Sequence, residues 1–251
     1  MSGHSKWASI KHKKAATDSK RGKVFTRLIR EISMAARAGG GDPDKNPSLR
    51  NAIDGARAAN MPADNIKRAI LKGTGQLEGA TYEEVSYEGY GPGGVAIFLQ
   101  AVTDNKNRTV SEIRHIFAKS GGRIGESNCV AWMFKRMGYI DVEKAKASED
   151  ILMDVALAAG ADDLKDDGSI FEITTSPENY EAVVAALKKS EIEIAASEVG
   201  FLPQKYVKVE GKEAQQVLRL MDELEEHDDV QTASSNFDIS EEDIAIFSQA
   251  G

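Results

Sequence analysis

The hydrophobic pattern of this chain changes from purely helical to alternating at Gly73-Thr74-Gly75, and that change limits what it can fold into. Before it, apolar residues recur every three or four positions: Val24, Phe25, Leu28, Ile29, Ile32 and Ala36, then Leu49, Ala52, Ile53 and Ala56, then Ile66, Ala69 and Ile70. This spacing predicts three short amphipathic helices. Gly39-Gly40-Gly41 ends the first, Pro47 suits the opening turn of the second, and Asn60-Met61-Pro62 opens the third. After the change the pattern alternates. Val85–Tyr90, a Gly-Pro-Gly-Gly turn at Gly91–Gly94 and the apolar run Val95–Val102 predict a β-hairpin. A helix from Asn107 or Thr109 to Ser120 and a strand at Val130–Phe134 are expected next. From Tyr139 to Phe201 the expected order is strand, helix Asp150–Ala159, hairpin around Ile170–Ile173, helix Glu178–Lys189 and strand Ile192–Val199.

The chain then repeats itself. FEITTSPENYEAVVAALKKSEIEIAASEVGF, ending at Phe201, and YVKVEGKEAQQVLRLMDELEEHDDVQTASSNF, ending at Phe237, share a strand–helix–strand pattern with an Ala-Ser pair in the last strand, Ala196-Ser197 and Ala233-Ser234. If the two are equivalent, Tyr206–Phe237 completes a half-fold begun at Val85–Phe134, and the residues between form an inserted β-α-β-β-α-β copy. A single doubly wound sheet is disfavoured, because no three strand–helix units follow one another in regular order. The expected division is a helical bundle with an N-terminal arm at 1–76, a discontinuous domain at 77–136 and 204–251, and an inserted domain at 137–203.

Charge divides at nearly the same point. Residues 1–37 carry ten basic and two acidic side chains, and residues 1–78 sixteen and seven; the whole chain is formally −8, so the remainder is −17. Lys6, Lys11, Lys13, Lys14, Lys20, Arg21, Lys23, Arg27 and Arg30 crowd one stretch with Trp7 and His12 among them. Such a stretch attracts polyphosphate through counterion release, and its aromatic and guanidinium groups can stack on bases. A solvated basic tail is the plainer alternative. Nucleic acid is favoured because the charge continues onto the first helix. The −17 remainder should repel nucleic acid and offer a docking face to basic partners such as ribosomal proteins.

Other classes find little support. The longest apolar run, Gly93–Val102, is too short to span a membrane, and the N-terminus has no apolar signal core. A single cysteine, Cys129, excludes an internal disulfide and a Cys-only metal cluster, which suits a reducing cytoplasm. Beside an apolar strand, Cys129 reads as a small hydrophobe and not a reactive thiol. His4, His12, His115 and His227 show no metal-ligand spacing, and His227 reads as a solvated helix end. No catalytic constellation is evident, so a monomeric non-enzyme without cofactor or metal is expected. The cluster Thr103–Thr109 admits two readings: a capped helix start, or an anion site in which Lys106 and Arg108 join exposed helix-start amides.

Several long strings, in order, resemble one family. GHSKWASIKHKKAATDSKRGKVFTRLIREI at Gly3–Ile32, GGGDPDKNPSLRNAI at Gly39–Ile53, AANMPADNIKRAI at Ala58–Ile70, KGTGQLEG at Lys72–Gly79, YEGYGPGGVA and TDNKNRT are similar to the YebC family. That family is catalogued as probable transcriptional regulatory proteins and includes a mitochondrial translational activator of cytochrome c oxidase subunit I. The resemblance implies an α+β multidomain protein: an N-terminal three-helix bundle and two ferredoxin-like α/β domains, one inserted in the other, flanking a cleft. Acidic residues in that cleft are the sole support for an enzymatic reading. The resemblance also implies a gene-expression role. Ribosomal RNA, with help in synthesising proline-rich stretches, is favoured here over a DNA operator, since no base-reading helix-turn-helix is evident. Glu126-Ser127-Asn128-Cys129 departs from the Gly-Ser of relatives, and Asn tolerates the left-handed turn expected there.

Overall fold

Asn46 shows how local sequence builds the first unit of the fold. The structure is a computed structural model and describes residues 18–250. Helix α1 (Asp18–Gly39), α2 (Pro47–Ala58) and α3 (Ala63–Gly73) follow in turn. Asn46 caps α2, its Oδ1 accepting from the Leu49 N–H at 3.1 Å with Pro47 behind it. Its Nδ2 also donates to the carbonyls of Ala35 and Gly40, at 2.8 and 2.9 Å, which ties the start of α2 to the end of α1. Ile32, Ala36, Leu49, Ala52, Ile53, Ala56, Ile66 and Ala69 make the core of this unit. The last turn of α3 lies so close to α1 that a Cβ at Gly73 would collide with the Ser33 carbonyl.

The rest is α/β. First come β1 (Glu83–Tyr90), β2 (Ala96–Thr103), α4 (Lys106–Lys119) and β3 (Arg123–Ile124). Next are β4 (Phe134–Glu143), α5 (Glu149–Ala158), β5 (Ala161–Asp167), β6 (Ile170–Thr175), α6 (Tyr180–Lys189) and β7 (Ala196–Pro203). The chain closes with β8 (Val207–Lys208), α7 (Gly211–Glu226), β9 (Val230–Ser235), β10 (Phe237–Asp238) and α8 (Glu241–Ala250). One antiparallel sheet has the order β3-β1-β2-β9, the other β5-β6-β4-β7. In the first, Ile97, Leu99 and Ala101 pack with Ile113 and Phe117 of α4 and Val217, Leu218 and Met221 of α7. In the second, Ile140, Val142 and Ile173 pack with Leu152 of α5 and Val183 and Leu187 of α6. β2 is buried on both faces because Phe98 also packs against Phe134 and Phe201, with ring centroids 6.0 and 4.8 Å away. That double burial is why it reads as a continuous apolar run.

Four expectations are corrected. Val130–Phe134 is not one strand: Ala131–Met133 is a 3₁₀ turn, and β4 starts at Phe134 in the second sheet. The Glu88 carboxylate causes this by drawing in the amides of Asn128, Val130 and Ala131, each at 2.7 Å, which curls the chain. The strand expected at Ile192–Val199 is β7, starting at Ala196; Ile192 is buried from a loop. The α4 helix begins at Lys106, because Asn105 supplies its cap. Finally, β8 does not enter the first sheet as its counterpart β6 enters the second; it forms a parallel pair with β10. Only two residues of β8 pair, because α7 starts at Gly211.

Candidate nucleic-acid interface

Lys6, Trp7, Lys11, His12, Lys13 and Lys14 lie outside the described residues. Lys20 and Arg21 stand on α1. Further along that helix the cations turn toward the protein's own acidic groups. Lys23 Nζ donates to the Glu226 carbonyl at 3.1 Å and lies 3.8 Å from its carboxylate. Burial lowers the pKa of Arg27, opposed by the charges of Glu225 and Asp228. Arg30 is buried, 8% exposed; it donates to the Asp228 carbonyl, pairs with Asp229 Oδ1 at 2.9 Å and lies 5.5 Å over the Tyr82 ring.

Asp229, 2% exposed, is the centre of this junction. Its Oδ2 accepts from Thr109 Oγ1 at 2.6 Å, Arg108 at 2.8 Å and Thr103 Oγ1 at 3.3 Å. Burial pushes its carboxyl up, but the bonds from Thr109 and Arg108 and the charges of Arg30 and Arg108 outweigh that, leaving the pKa below the usual carboxylate range. No signal in the sequence singles this residue out: it ends an acidic run, Glu225-Glu226-His227-Asp228-Asp229, in which nothing marks one carboxylate as buried.

One predicted contact, Arg30, is therefore corrected, and two others carry ion pairs of their own. Arg30 joins the helical unit to the first sheet and turns away from solvent. Arg108 is held by Asp229 and by Asp104 at 3.0 Å, and Lys106 by Glu83 at 2.8 Å. At Thr103–Thr109 the capping reading is realised: Asn105 Oδ1 accepts the Arg108 N–H at 3.1 Å, and Thr103 Oγ1 accepts the Asn105 N–H at 2.9 Å. His227 is likewise no solvated end; its Nδ1 accepts from the Asp229 N–H at 3.1 Å and its Nε2 lies 2.9 Å from Glu112. Ligand atoms of Glu112, His227 and Asp229 all fall within 4.8 Å of one another, but the Asp229 carboxylate is already engaged by Arg30, Arg108 and Thr109.

Two of the concave surfaces among the described residues adjoin the sheets. A cleft of about 1070 Å³ between the helical unit and the two sheets is lined by Glu31, Glu84 and Glu198, with Arg136, Phe98 and Phe201. A second groove, about 660 Å³, runs along the β3 edge beside Tyr90, Arg114, Arg123 and Glu126. Cys129 adjoins it half-buried, its thiol pKa pushed up by burial and by Glu88, as befits packing and not nucleophilic chemistry. Among the described residues no helix is long and apolar enough to cross a membrane.

A three-helix unit followed by two antiparallel α/β sheets, with a cationic helix locked to an acidic body, defines the class: an α+β protein in which the basic element and the acidic framework are built separately. The chain belongs to the TACO1/YebC family. The profile for the TACO1/YebC protein N-terminal domain matches residues 5–76, and that for the second and third domain residues 82–237. The family is not one of enzymes. A probable transcriptional regulatory protein of Desulforapulum autotrophicum is 56% identical over 242 residues, covering 96% of this chain and 98% of the relative. One from Koribacter versatilis is 58% identical over 241 residues, covering 96% and 97%. The crystal structure of a conserved hypothetical protein, Aq1575 from Aquifex aeolicus, is similar with a TM-score of 0.79 and 47% identity, covering 89% of this chain and 93% of that one.

Proposed function

We propose that this protein is a non-enzymatic, nucleic-acid-binding regulator of gene expression that works in the cytoplasm on the ribosome, holding ribosomal RNA and easing synthesis of proline-rich stretches. The observation that supports it is charge polarity: a basic arm runs into α1, the acidic remainder is −17, and the Arg30–Asp229 pair ties the two together. The phosphate contacts are Lys6, Lys11, His12, Lys13, Lys14, Lys20 and Arg21, with Lys23 at their edge and Trp7 available to stack. Arg30 leaves the set, since it is buried against Asp229, and Arg27, half-buried with its pKa lowered by burial, stands at its inner limit; Lys106 and Arg108, whose pairs with Glu83 and Asp104 are exposed, stay at its margin. The functional units are 1–76, 77–136 with 204–251, and 137–203, acting as a monomer. The net charge of the acidic units disfavours RNA over most of their surface and suits basic ribosomal proteins.

Sedimentation tests this reading. The protein should travel with ribosomal subunits at low salt and leave them as salt rises, because its hold is mainly electrostatic. Changing Lys11, Lys13 and Lys14 together to Ala should weaken binding and shallow the salt slope by roughly one unit per lost contact. Unchanged affinity and slope would refute the assignment.

The relatives' name, transcriptional regulatory protein, supports a second reading, duplex DNA. A defined operator protected against excess nonspecific DNA by roughly a thousandfold or more, with ribosome fractions empty of protein, would establish it instead.

A further inference from the structure

The turn between the two sheets holds a large aromatic ring out in solvent. Trp132 is 68% exposed, although its neighbours Val130 and Phe134 are 0% and 6% exposed. This display is built, not left over. Glu88, 5% exposed, gives both carboxylate oxygens to the amides of Asn128, Val130 and Ala131, and Asn128 takes a left-handed φ of 67°. Burying a carboxylate to hold a turn is costly unless its hydrogen bonds are met, and here they come from the turn itself. The indole N–H of Trp132 donates to the Cys129 carbonyl at 3.2 Å, and the Tyr90 hydroxyl donates to that same carbonyl at 3.1 Å. Both rings are thereby tied to one atom.

Cations gather at this spot on an otherwise acidic body. The Arg123 guanidinium lies 6.0 Å over the Tyr90 ring, and Arg114 lines the groove with them. Lys135, exposed, opens β4 just after the turn, while Glu126 is the opposing carboxylate on the groove wall. An exposed indole face, beside a half-buried tyrosine ring and guanidinium groups, is the chemistry of single-strand binding, since every unpaired base offers a face to stack and every nucleotide a phosphate. A duplex hides those faces within its own stack.

We infer that Trp132, Tyr90, Arg123 and Arg114 form a second nucleic-acid contact, on which an unpaired base stacks while the guanidinium groups take adjacent phosphates. The inference rests on the nucleic-acid reading above and adds to it a preference for single strands, located far along the chain from the arm. Because the turn is already held by Glu88, binding needs little ordering of the platform.

Trp7 and Trp132 are the chain's two tryptophans, so full-length protein carrying Trp7→Phe reports on Trp132 alone. Poly(U), oligo(dT) and a blunt DNA duplex are the probes. Both single strands should quench Trp132 emission saturably, because stacking reads the base and not the sugar. Trp132→Ala should weaken single-strand affinity by on the order of tenfold to a hundredfold, Trp132→Phe should recover most of it, and duplex affinity should stay constant. Arg114→Ala and Arg123→Ala should each shallow the single-strand salt slope by roughly one unit. Unquenched Trp132 with strand bound, or equal loss of single-strand and duplex affinity on Trp132→Ala, would overturn the inference. If strand binding then still depended on Lys11, Lys13 and Lys14, the function proposed above would survive that failure. Loss of ribosome association by Trp132→Ala without any quenching would mark a protein-docking surface and would also overturn it.

Discussion

Asp229 carries more of this protein's architecture than any charge count suggests. It joins Arg30 of α1 to Arg108 and Thr109 of α4, so one carboxylate links the helical unit to the first sheet. Removing one member of a buried pair strands the other, which typically costs about 3–5 kcal/mol. Asp229→Ala should lose stability of that order in urea unfolding, whereas Lys106→Ala, which breaks an exposed pair with Glu83, should lose less than about 1 kcal/mol. The pH dependence has a definite sign. The folded carboxyl titrates below its unfolded value of about 3.9, so its contribution is fully present above that pH and is lost as pH falls through the folded value. The stability gap between the native protein and Asp229→Asn should therefore be constant near neutrality and shrink below about pH 4. A gap that stayed constant on acidification would show that the carboxylate is not held in its charged form.

At the scale of elements, the helical unit depends on side chains that act at helix ends. Asn46 is at once the cap of α2 and the donor that closes the end of α1. Asn46→Ala should cost about 2 kcal/mol, at the upper end for a cap, because the part-buried bonds from Nδ2 to the Ala35 and Gly40 carbonyls are lost as well. Asn46→Ser, which keeps an acceptor for the Leu49 amide but loses the reach to α1, should recover part of that. Thermal unfolding followed by helical circular dichroism measures both; equal stability of all three proteins would remove Asn46 from this role. The 3₁₀ turn at Ala131–Met133 obeys similar logic, with Glu88 standing where a strand partner would otherwise satisfy the amides.

Across the whole molecule, the charge gradient should govern how the protein meets its target. Removing residues 1–76 takes away the basic unit, leaving the α/β part with its cores intact but without Arg30 beside Asp229. The truncated protein should still unfold cooperatively, since Arg108 and Thr109 still hold Asp229, while RNA binding should weaken strongly and lose most of its salt dependence, leaving only the weaker single-strand contact around Trp132. Filter binding at several salt concentrations checks this. Full affinity and an unchanged salt slope in the truncated protein would place the main contact in the α/β part and refute the role of the arm.

The amino-acid order by itself determined the elements whose signals are local. The periods of Leu49–Ala56 and Ile113–Phe117, the turn at Gly91–Gly94 and the repeated strand–helix–strand pattern depend on neighbours a few residues apart, which is why they are legible in one dimension. The concentration of basic residues before residue 38 is equally direct. Tertiary structure decided which of those charges remain to meet a partner. Arg30 and Arg27 have the same side chain and the same helix as Arg21, yet Arg30 is buried against Asp229, a residue 199 positions away, because α1 packs there against the link between α7 and β9. The same is true of Val130–Phe134, whose strand-like composition yields to a carboxylate at Glu88, and of Trp132, an apolar side chain that packing around its neighbours leaves in solvent. Such outcomes depend on desolvation and on partners distant in sequence, and no local pattern records them.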